Sequence, residues 1–253
     1  MKTICIIPAR MGSSRFPGKP LKKIHNMPMI EHVYKRAELS QSIDLLTVAT
    51  PDKEIYNFVK SFGGNSILTS IKHERASDRC AEALLKLEEL NQVKFDIVVM
   101  VQGDEPLVHP QMIEKGIEAI KLDKKVKVVN LLGKIDKQEF HNKNIIKVLI
   151  DKNKDAIYFS RNAIPFMKVD DFSIVGKQIC IIPFDRNFLI QYSELTPTPL
   201  EIKESIDMLR VLEHGYDVRM VPINYVSHPV DVKEDVESVE KLLKNDDIYL
   251  QGY

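Results

Sequence analysis

The 253-residue sequence contains no tryptophan and carries no net charge, since 36 Lys and Arg residues balance 36 Asp and Glu residues. A protein that holds nucleic acid by its phosphates is expected to carry excess positive charge. Aromatic residues make up only 7% of the chain, so a stacking platform for single strands is also missing. We therefore expect no nucleic-acid partner, and any anion site must come from a local cluster of cations.

Cysteine is also scarce, with Cys5, Cys80 and Cys180 far apart in the chain. An odd number at this spacing predicts neither a disulfide framework nor a zinc site, and the seven histidines show no metal-ligand spacing. The first apolar run is too short for a signal peptide, and no run approaches the length of a membrane span. These absences predict a cytoplasmic protein with no membrane insertion.

Apolar runs and helical patterns alternate along the first half, which is typical of βαβ units and a parallel sheet. The predicted strands there are 3–8, 45–49 and 96–101, and the predicted helices are 28–39, 53–62 and 77–90. In the second half we predict strands at 145–150, 157–159, 178–184 and 218–221, and helices at 202–213 and 234–243. We expect an α/β fold in a single domain, 1–253, with a subdomain at about 130–215 whose boundary is soft.

A polar segment, residues 8–20, follows the first predicted strand and contains Arg10, Arg15 and Lys19 among small residues. Small residues let backbone N–H groups approach an anion, and the cations add charge. The segment is neither a P-loop nor a dinucleotide fingerprint. Its position at a strand end favours phosphate binding over a merely solvated loop, because ligands of parallel sheets bind at the carboxyl ends of strands.

A second polar segment, residues 101–107, also begins at a strand end. Asp104 and Glu105 follow Gly103 there, and adjacent carboxylates suit a hard cation such as Mg²⁺ bridging to phosphate. Asp231 is a candidate second ligand brought in from far along the chain. The alternative is that Asp104 and Asp231 only cap or close turns.

Two further segments carry polar groups that could contact a substrate. Arg161 follows an aromatic strand and has the geometry to bind a carboxylate through two hydrogen bonds, although a surface arginine is the plainer interpretation. Glu204 and Asp207 are three residues apart in a predicted helix and would share one face, where they could accept hydrogen bonds from hydroxyls. A solvated helix face is the alternative there.

Taken together, these segments resemble the CMP-Kdo synthetases, or 3-deoxy-manno-octulosonate cytidylyltransferases, in family order and over nearly the whole chain. The first loop is shared with other sugar-nucleotide transferases, including sialic-acid cytidylyltransferases, whereas the second and the Tyr-Phe-Ser-Arg segments are more specific. The matching segments are 8–20, 28–33, 63–64, 102–107, 158–165, 197–201, 209–212 and 230–231.

The resemblance implies a Rossmann-like nucleotidyltransferase fold, with a mostly parallel central sheet and a smaller subdomain for sugar binding and dimerisation. It implies a Mg²⁺-dependent homodimer that converts CTP and a 3-deoxy-ulosonic acid to a CMP-sugar and pyrophosphate, for lipopolysaccharide or capsule synthesis. The implied residues are Arg10, Lys19 and Asp104 for catalysis; Ala9, Arg10, Ser13, Ser14, Lys19, Arg79 and Gln102 for the nucleotide; Arg161, Gln178, Glu204 and Asp207 for the sugar; and Asp104 and Asp231 for the metal.

The sequence departs from the family pattern mainly in its sugar-binding half. Residues 73–79 differ from the usual His-Gln-Ser-Gly-Thr run, Gln178 replaces a histidine, and Asp207 with Met208 replaces Glu-Gln. The hypothesis that follows is an acceptor that is Kdo or a modified relative, such as an amino-substituted ulosonic acid. The alternatives are a transferase for sialic-type acids, another sugar nucleotidyltransferase, and a noncatalytic nucleotide-binding homologue.

Overall fold

The computed structural model describes residues 1–13, 15–168 and 171–253 of the chain. Its strands are β1 Thr3–Pro8, β2 Lys23–Ile24, β3 Met27–Pro28, β4 Leu45–Thr50, β5 Ser66–Leu68, β6 Ile97–Val101, β7 Val129–Gly133, β8 Lys147–Ile150, β9 Ala156–Ser160, β10 Val175–Ile179, β11 Ile181–Asp185 and β12 Arg219–Pro222. Its helices are α1 Met29–Glu38, α2 Lys53–Ser61, α3 Ala76–Asn91, α4 Pro110–Leu122, α5 Lys137–His141, α6 Arg186–Glu194, α7 Pro199–Glu204, α8 Met208–Glu213, α9 Lys233–Leu243 and α10 Asp247–Gln251.

The central sheet has the strand order β11-β6-β1-β4-β5, and its pairs are parallel except for β11 against β6. The middle strand β1 is buried on both faces because its side chains alternate between two cores. Ile4 and Ile6 pack in the core that includes α3, while Cys5 and Ile7 pack in the core that includes α1. The predicted α/β class and mostly parallel sheet are confirmed, and the continuous apolar run explains why.

A second sheet has the order β12-β7-β10-β8-β9 and is mostly antiparallel. The chain passes from this sheet to the central one at Cys180, between β10 and β11. The single strand predicted over 178–184 is therefore two strands in different sheets. An isolated bridge between Val128 and Phe184 adds a link between the sheets, so Gln178 lies at their junction.

The single helix predicted over 202–213 is wrong, because α7 and α8 are separate helices. The chain breaks at Ser205, whose φ of 56° is left-handed. The break lets Glu201 and Arg210, both buried, form two hydrogen bonds of 2.7 and 2.6 Å. In one continuous helix these residues would lie on opposite faces about 13 Å apart along the axis. Glu204 and Asp207 consequently do not share a helix face.

Two absences bear on the expectations about cysteine and membranes. The three cysteines are free, with Cys5 and Cys80 buried and Cys180 half-buried. Over residues 1–13, 15–168 and 171–253, no helix has both the length and the apolar character needed to cross a bilayer.

Candidate active site at the sheet edge

A cavity of about 1010 Å³ opens at the carboxyl ends of β1 and β6. This is the edge at which ligands of parallel sheets are expected to bind. Both polar segments that the sequence singled out contribute to its wall, as does the distant Asp231. The cavity is lined by these predicted residues: Ala9, Arg10, Ser13, Lys19, Arg79, Gln102, Asp104, Arg161, Gln178, Asp207 and Asp231.

Lys19 is the meeting point of three distant parts of the chain. Its ammonium donates hydrogen bonds to Asp104 Oδ2 at 2.6 Å and to the Val230 carbonyl at 2.8 Å, and lies 3.9 Å from Asp231 Oδ1. Arg15, on the same loop, donates to Asp231 Oδ1 at 2.8 Å. Two cations and two carboxylates are therefore gathered in one partly buried place.

Backbone contacts explain how these side chains are held. A side chain at Gly103 would place its Cβ 2.9 Å from the Pro8 carbonyl, so only glycine lets the loop after β6 approach the end of β1. The Asp104 carbonyl then accepts a hydrogen bond of 2.9 Å from the Val230 N–H. Asp235 accepts from the N–H groups of Asp231 and Val232 at the start of α9, which orders the segment carrying Asp231.

Burial and crowding change the acidity of the carboxyl groups here. Burial, followed by the nearby charge of Asp104, raises the pKa of Asp231, while Lys19 and Arg15 oppose the rise. Burial and the adjacent Asp104 also raise the pKa of Glu105 to about 7. Glu105 accepts hydrogen bonds from Ser227 Oγ at 2.9 Å and the Cys180 N–H at 3.4 Å. Burial and neighbouring carboxylates therefore disfavour negative charge here, and nearby cations oppose that effect.

The donor set at Asp104 and Asp231 fits a divalent cation of the magnesium type. Within the described residues, no three or more His, Cys, Asp or Glu side chains form a group suited to a metal. Mg²⁺ is commonly held by one or two carboxylates, with phosphate oxygens of the substrate and water completing its shell. Asp104 and Asp231 supply two carboxylates beside a cation-rich loop, which meets that description.

The residues predicted to bind the nucleotide differ in exposure and in the hydrogen bonds that they already make. Arg10 is exposed at the cavity, whereas Arg79 is buried and already donates to Thr69 Oγ1 at 2.6 Å and to the Ser70 and His73 carbonyls at 3.1 Å. Arg79 thus holds the segment before α3 as well as lining the cavity. Ser14 lies outside the described residues.

Among the residues predicted to bind the sugar, Arg161 lines the cavity but already donates hydrogen bonds to main-chain oxygens. It donates to the Glu204 carbonyl at 2.8 Å and makes longer contacts of 3.4 Å to the Lys143 and Asn144 carbonyls. Glu204 does not line the cavity. Its carboxylate instead accepts from Ser160 Oγ at 2.7 Å and the Arg161 N–H at 2.9 Å, so it supports Arg161 from behind.

Asp207 reaches the cavity through the break between α7 and α8. Its carboxylate accepts from Ser77 Oγ at 3.1 Å and lies 3.4 Å from the Arg75 guanidinium, which also lies 3.2 Å from Glu201. Burial raises the pKa of Asp207, and Arg75 and Ser77 oppose the rise. Sequence reasoning noted Arg75 only within the segment that departs from the family pattern, and it missed that Arg75 links the segment before α3 to α7 and to the break before α8.

Lys147 is a second functional candidate that sequence reasoning missed. It is fully buried, and its ammonium donates to the carbonyls of Asn142 at 2.8 Å, Ile145 at 2.6 Å and Arg161 at 2.6 Å. These carbonyls belong to two segments that line the cavity. Its only sequence signal is a lysine at a strand position with apolar neighbours, which does not by itself indicate a function.

The chain is similar to known proteins over nearly its whole length. A family model described as "Cytidylyltransferase" matches residues 4–248. A 3-deoxy-manno-octulosonate cytidylyltransferase of Fusobacterium nucleatum is 43% identical and covers 98% of this chain and 99% of its own. The mitochondrial protein of that name from Arabidopsis thaliana is 38% identical and covers 96% of this chain and 83% of its own.

Solved structures give the same picture of the fold. A CMP:2-keto-3-deoxy-manno-octonic acid synthetase complexed with CTP superposes with a TM-score of 0.87 at 34% identity, covering 97% of this chain and 99% of its own. A cytidylyltransferase from Leptospira borgpetersenii matches with a TM-score of 0.67 at 16% identity, covering 98% and 89%, which shows a common fold only.

Proposed function

This chain belongs to the cytidylyltransferase family, among the 3-deoxy-manno-octulosonate cytidylyltransferases, and from that premise we propose that it transfers the cytidylyl group of CTP to a 3-deoxy-ulosonic acid, releasing pyrophosphate. One observation supports this most directly. Lys19, Asp104 and Asp231, which are distant in sequence, converge at the carboxyl edge of the central sheet. A triphosphate needs such a combination of a cation and metal-binding carboxylates.

In the proposed reaction, a hydroxyl oxygen of the sugar acid attacks the α-phosphorus of CTP. The bond from that phosphorus to the bridging oxygen breaks, pyrophosphate leaves, and the hydroxyl proton passes to solvent. Lys19 and Arg10 would offset the charge that develops on the departing pyrophosphate. Ala9, Ser13 and Gln102 line the same cavity and would bind and orient the nucleotide, which is most of what phosphoryl transfer requires.

Asp104 and Asp231 would hold Mg²⁺. The metal would neutralise phosphate charge and lower the pKa of the attacking hydroxyl. In the structure as it stands, the Lys19 ammonium and the Arg15 guanidinium occupy the carboxylate oxygens. These ion pairs keep the two acids together and would be exchanged for metal and phosphate contacts when the substrates bind.

The acceptor in this proposal is Kdo or a modified relative. Arg161, Gln178 and Asp207 line the same cavity as the cation-rich loop, and they would meet the acid and hydroxyl groups of the sugar. The replaced residues, Gln178 and Asp207, are the reason to include modified sugars. Lipopolysaccharide or capsule synthesis is the process that such a product would supply.

A pyrophosphate-release assay tests the function. We expect release that requires CTP, Mg²⁺ and a 3-deoxy-ulosonic acid together, and that stops when EDTA removes the metal or when ATP or GTP replaces CTP. A panel of Kdo, amino-substituted and sialic-type acids ranks the acceptors. A CTP-dependent thermal shift without release from any sugar acid would instead identify a noncatalytic nucleotide-binding protein.

We also propose that the protein is a cytoplasmic homodimer. Ile157 in β9, Phe166 and Ile174 are exposed apolar residues in the region of the second sheet, where a partner copy would cover them. The three free cysteines are compatible with a reducing compartment. Light scattering on the purified protein should give twice the 29.0 kDa mass of the chain, and a monomeric mass would contradict the dimer.

A further inference from the structure

Two side-chain amides meet at the junction of the sheets, at the rim of the proposed sugar half. Asn130 lies in β7 and is fully buried, whereas Gln178 in β10 is half-buried and lines the cavity. Gln178 is opposite Leu132 in the β7–β10 ladder, so Asn130 is its diagonal neighbour on the same face. Their hydrogen bonds determine which atom of Gln178 is left for a substrate.

The orientation of Asn130 is determined by the main chain. Its amide nitrogen lies 2.7 Å from the Ile179 carbonyl oxygen and 3.3 Å from the Leu131 carbonyl oxygen. Only the NH₂ end of the amide can donate to these acceptors, because a rotated side chain would set oxygen against oxygen in a buried place. Asn130 Oδ1 must therefore point the other way, as an acceptor.

The orientation of Gln178 follows from that of Asn130. Its Nε2 donates to Asn130 Oδ1 at 2.5 Å, so its own oxygen is turned away from this pair. Over the described residues, Gln178 Oε1 receives no hydrogen bond. It is also not one of the buried polar atoms that lack a partner, so it is accessible. An accessible carbonyl oxygen of fixed orientation is left beside the cavity.

We propose that Gln178 is a specificity-determining residue that selects a hydrogen-bond donor on the acceptor sugar, and that Asn130 is the positioning residue that fixes its orientation. The selected group is a hydroxyl or an ammonium, and the substrate carboxylate is kept away because two acceptors repel. This inference rests on the proposed function, since it assigns one contact within the sugar half of the same site.

The size of the effect follows from one hydrogen bond in a partly open place. A neutral hydrogen bond contributes about 1 kcal/mol, and a buried acceptor left unpaired costs up to about 3 kcal/mol. Loss of the selected group should therefore lower kcat/KM by roughly 5- to 140-fold. Discrimination built on hydrogen bonding is larger than that built on one methylene, so it is measurable with single-deoxy analogues.

The test compares wild type with Gln178→Met, an uncharged side chain of similar length, on acceptor analogues that each lack one hydroxyl or amino group. We expect wild type to discriminate against removal of one particular group, and Gln178→Met to lose that discrimination while its KM for CTP stays unchanged. Asn130→Val should weaken the same discrimination with Gln178 intact, because the amide is then free to rotate. The CTP-induced thermal shift verifies that each variant folds, and Gln191→Met on the surface is the matched control.

The outcomes separate this inference from the proposed function. If wild type is active but Gln178→Met keeps every wild-type discrimination ratio, the selection role is wrong. If Gln178→Met loses one ratio but Asn130→Val, folded and binding CTP, keeps all of them, the positioning role is wrong. If wild type releases no pyrophosphate with any sugar acid, the proposed function fails and this inference fails with it.

Discussion

At the scale of single residues, Lys19 both contacts other parts of the protein and faces the cavity. Its ammonium lies against Asp104 and the Val230 carbonyl, and it also lines the cavity in which a triphosphate would lie. Its side chain is only 12% exposed, so its charge is screened less than that of a surface lysine. The contacts of Lys19 give it a structural role, and its catalytic role stays a prediction that substitution can test.

We expect Lys19→Ala to lower kcat by roughly 10²- to 10⁴-fold, which is the scale for loss of a preorganised charge stabiliser. Pyrophosphate release at saturating CTP and sugar acid measures it. Lys22→Ala, an exposed neighbour, is the matched control and should retain wild-type turnover. Turnover of Lys19→Ala close to wild type would remove this residue from the reaction.

At the scale of elements, Lys147 connects β8 to two segments of the cavity wall. Burial, together with the positive charge of Arg161, lowers the pKa of this lysine to about 8. The three carbonyls around its ammonium oppose this effect, since all three of its N–H groups are used. Such an arrangement is stabilising only while every acceptor keeps its donor.

Lys147→Met should therefore reduce the free energy of unfolding by about 2–4 kcal/mol, because it leaves three carbonyls without a donor while relieving the cost of a buried charge. Urea denaturation measures the change, with Lys152→Met as an exposed control in the loop after β8. A loss below about 1 kcal/mol would mean that water replaces the ammonium.

Prediction of helices and strands from sequence succeeded where burial is uniform along the element. It failed where a tertiary contact determines the end of a helix. The apolar run 3–8 has one stable solution, a strand covered on both faces, and β1 has the predicted bounds. Residues 202–213 have helical spacing throughout, yet the Glu201–Arg210 pair is formed only if the chain breaks at Ser205. Helical spacing does not reveal a contact between residues that a continuous helix would place on opposite faces.

At the scale of the whole molecule, the C-terminal residues are joined to α1. Arg36 in α1 is buried and donates to Asp246 through two nitrogens, at 2.6 and 3.0 Å, and to the Val108 carbonyl at 2.7 Å. Tyr253 covers the same guanidinium, with its ring centre 5.6 Å away. This contact fastens α10 and the C-terminal residues to α1 and to the loop that follows Asp104.

Burial favours a neutral Asp246, but its hydrogen bonds to Arg36 lower its pKa below the ordinary value. A carboxyl group with a lowered pKa in the folded state stabilises the fold above its unfolded pKa of about 3.9, and this contribution is lost as the pH falls through the folded value. We expect Asp246→Asn to cost about 2 kcal/mol at pH 7, and the difference from wild type to vanish at low pH.

Urea unfolding of wild type and Asp246→Asn across a series of pH values checks this dependence. Asp247→Asn, an exposed neighbour, is the control and should show little change. A difference between wild type and Asp246→Asn that stayed constant down to pH 2 would contradict the assigned role of the charge.

The sequence alone determined the α/β class, the parallel sheet and the segments that carry the site, because buried strands and strand-end loops have local signals. Motif and family pattern also predicted a shared site for Arg10, Lys19, Asp104 and Asp231, which line one cavity in the structure, while their roles stay predictions. The contact of Glu204 behind Arg161 and the pairing of Asn130 with Gln178 became visible only in the folded chain. Those contacts join residues tens of positions apart, and hydrogen-bond direction depends on partners that no local pattern contains.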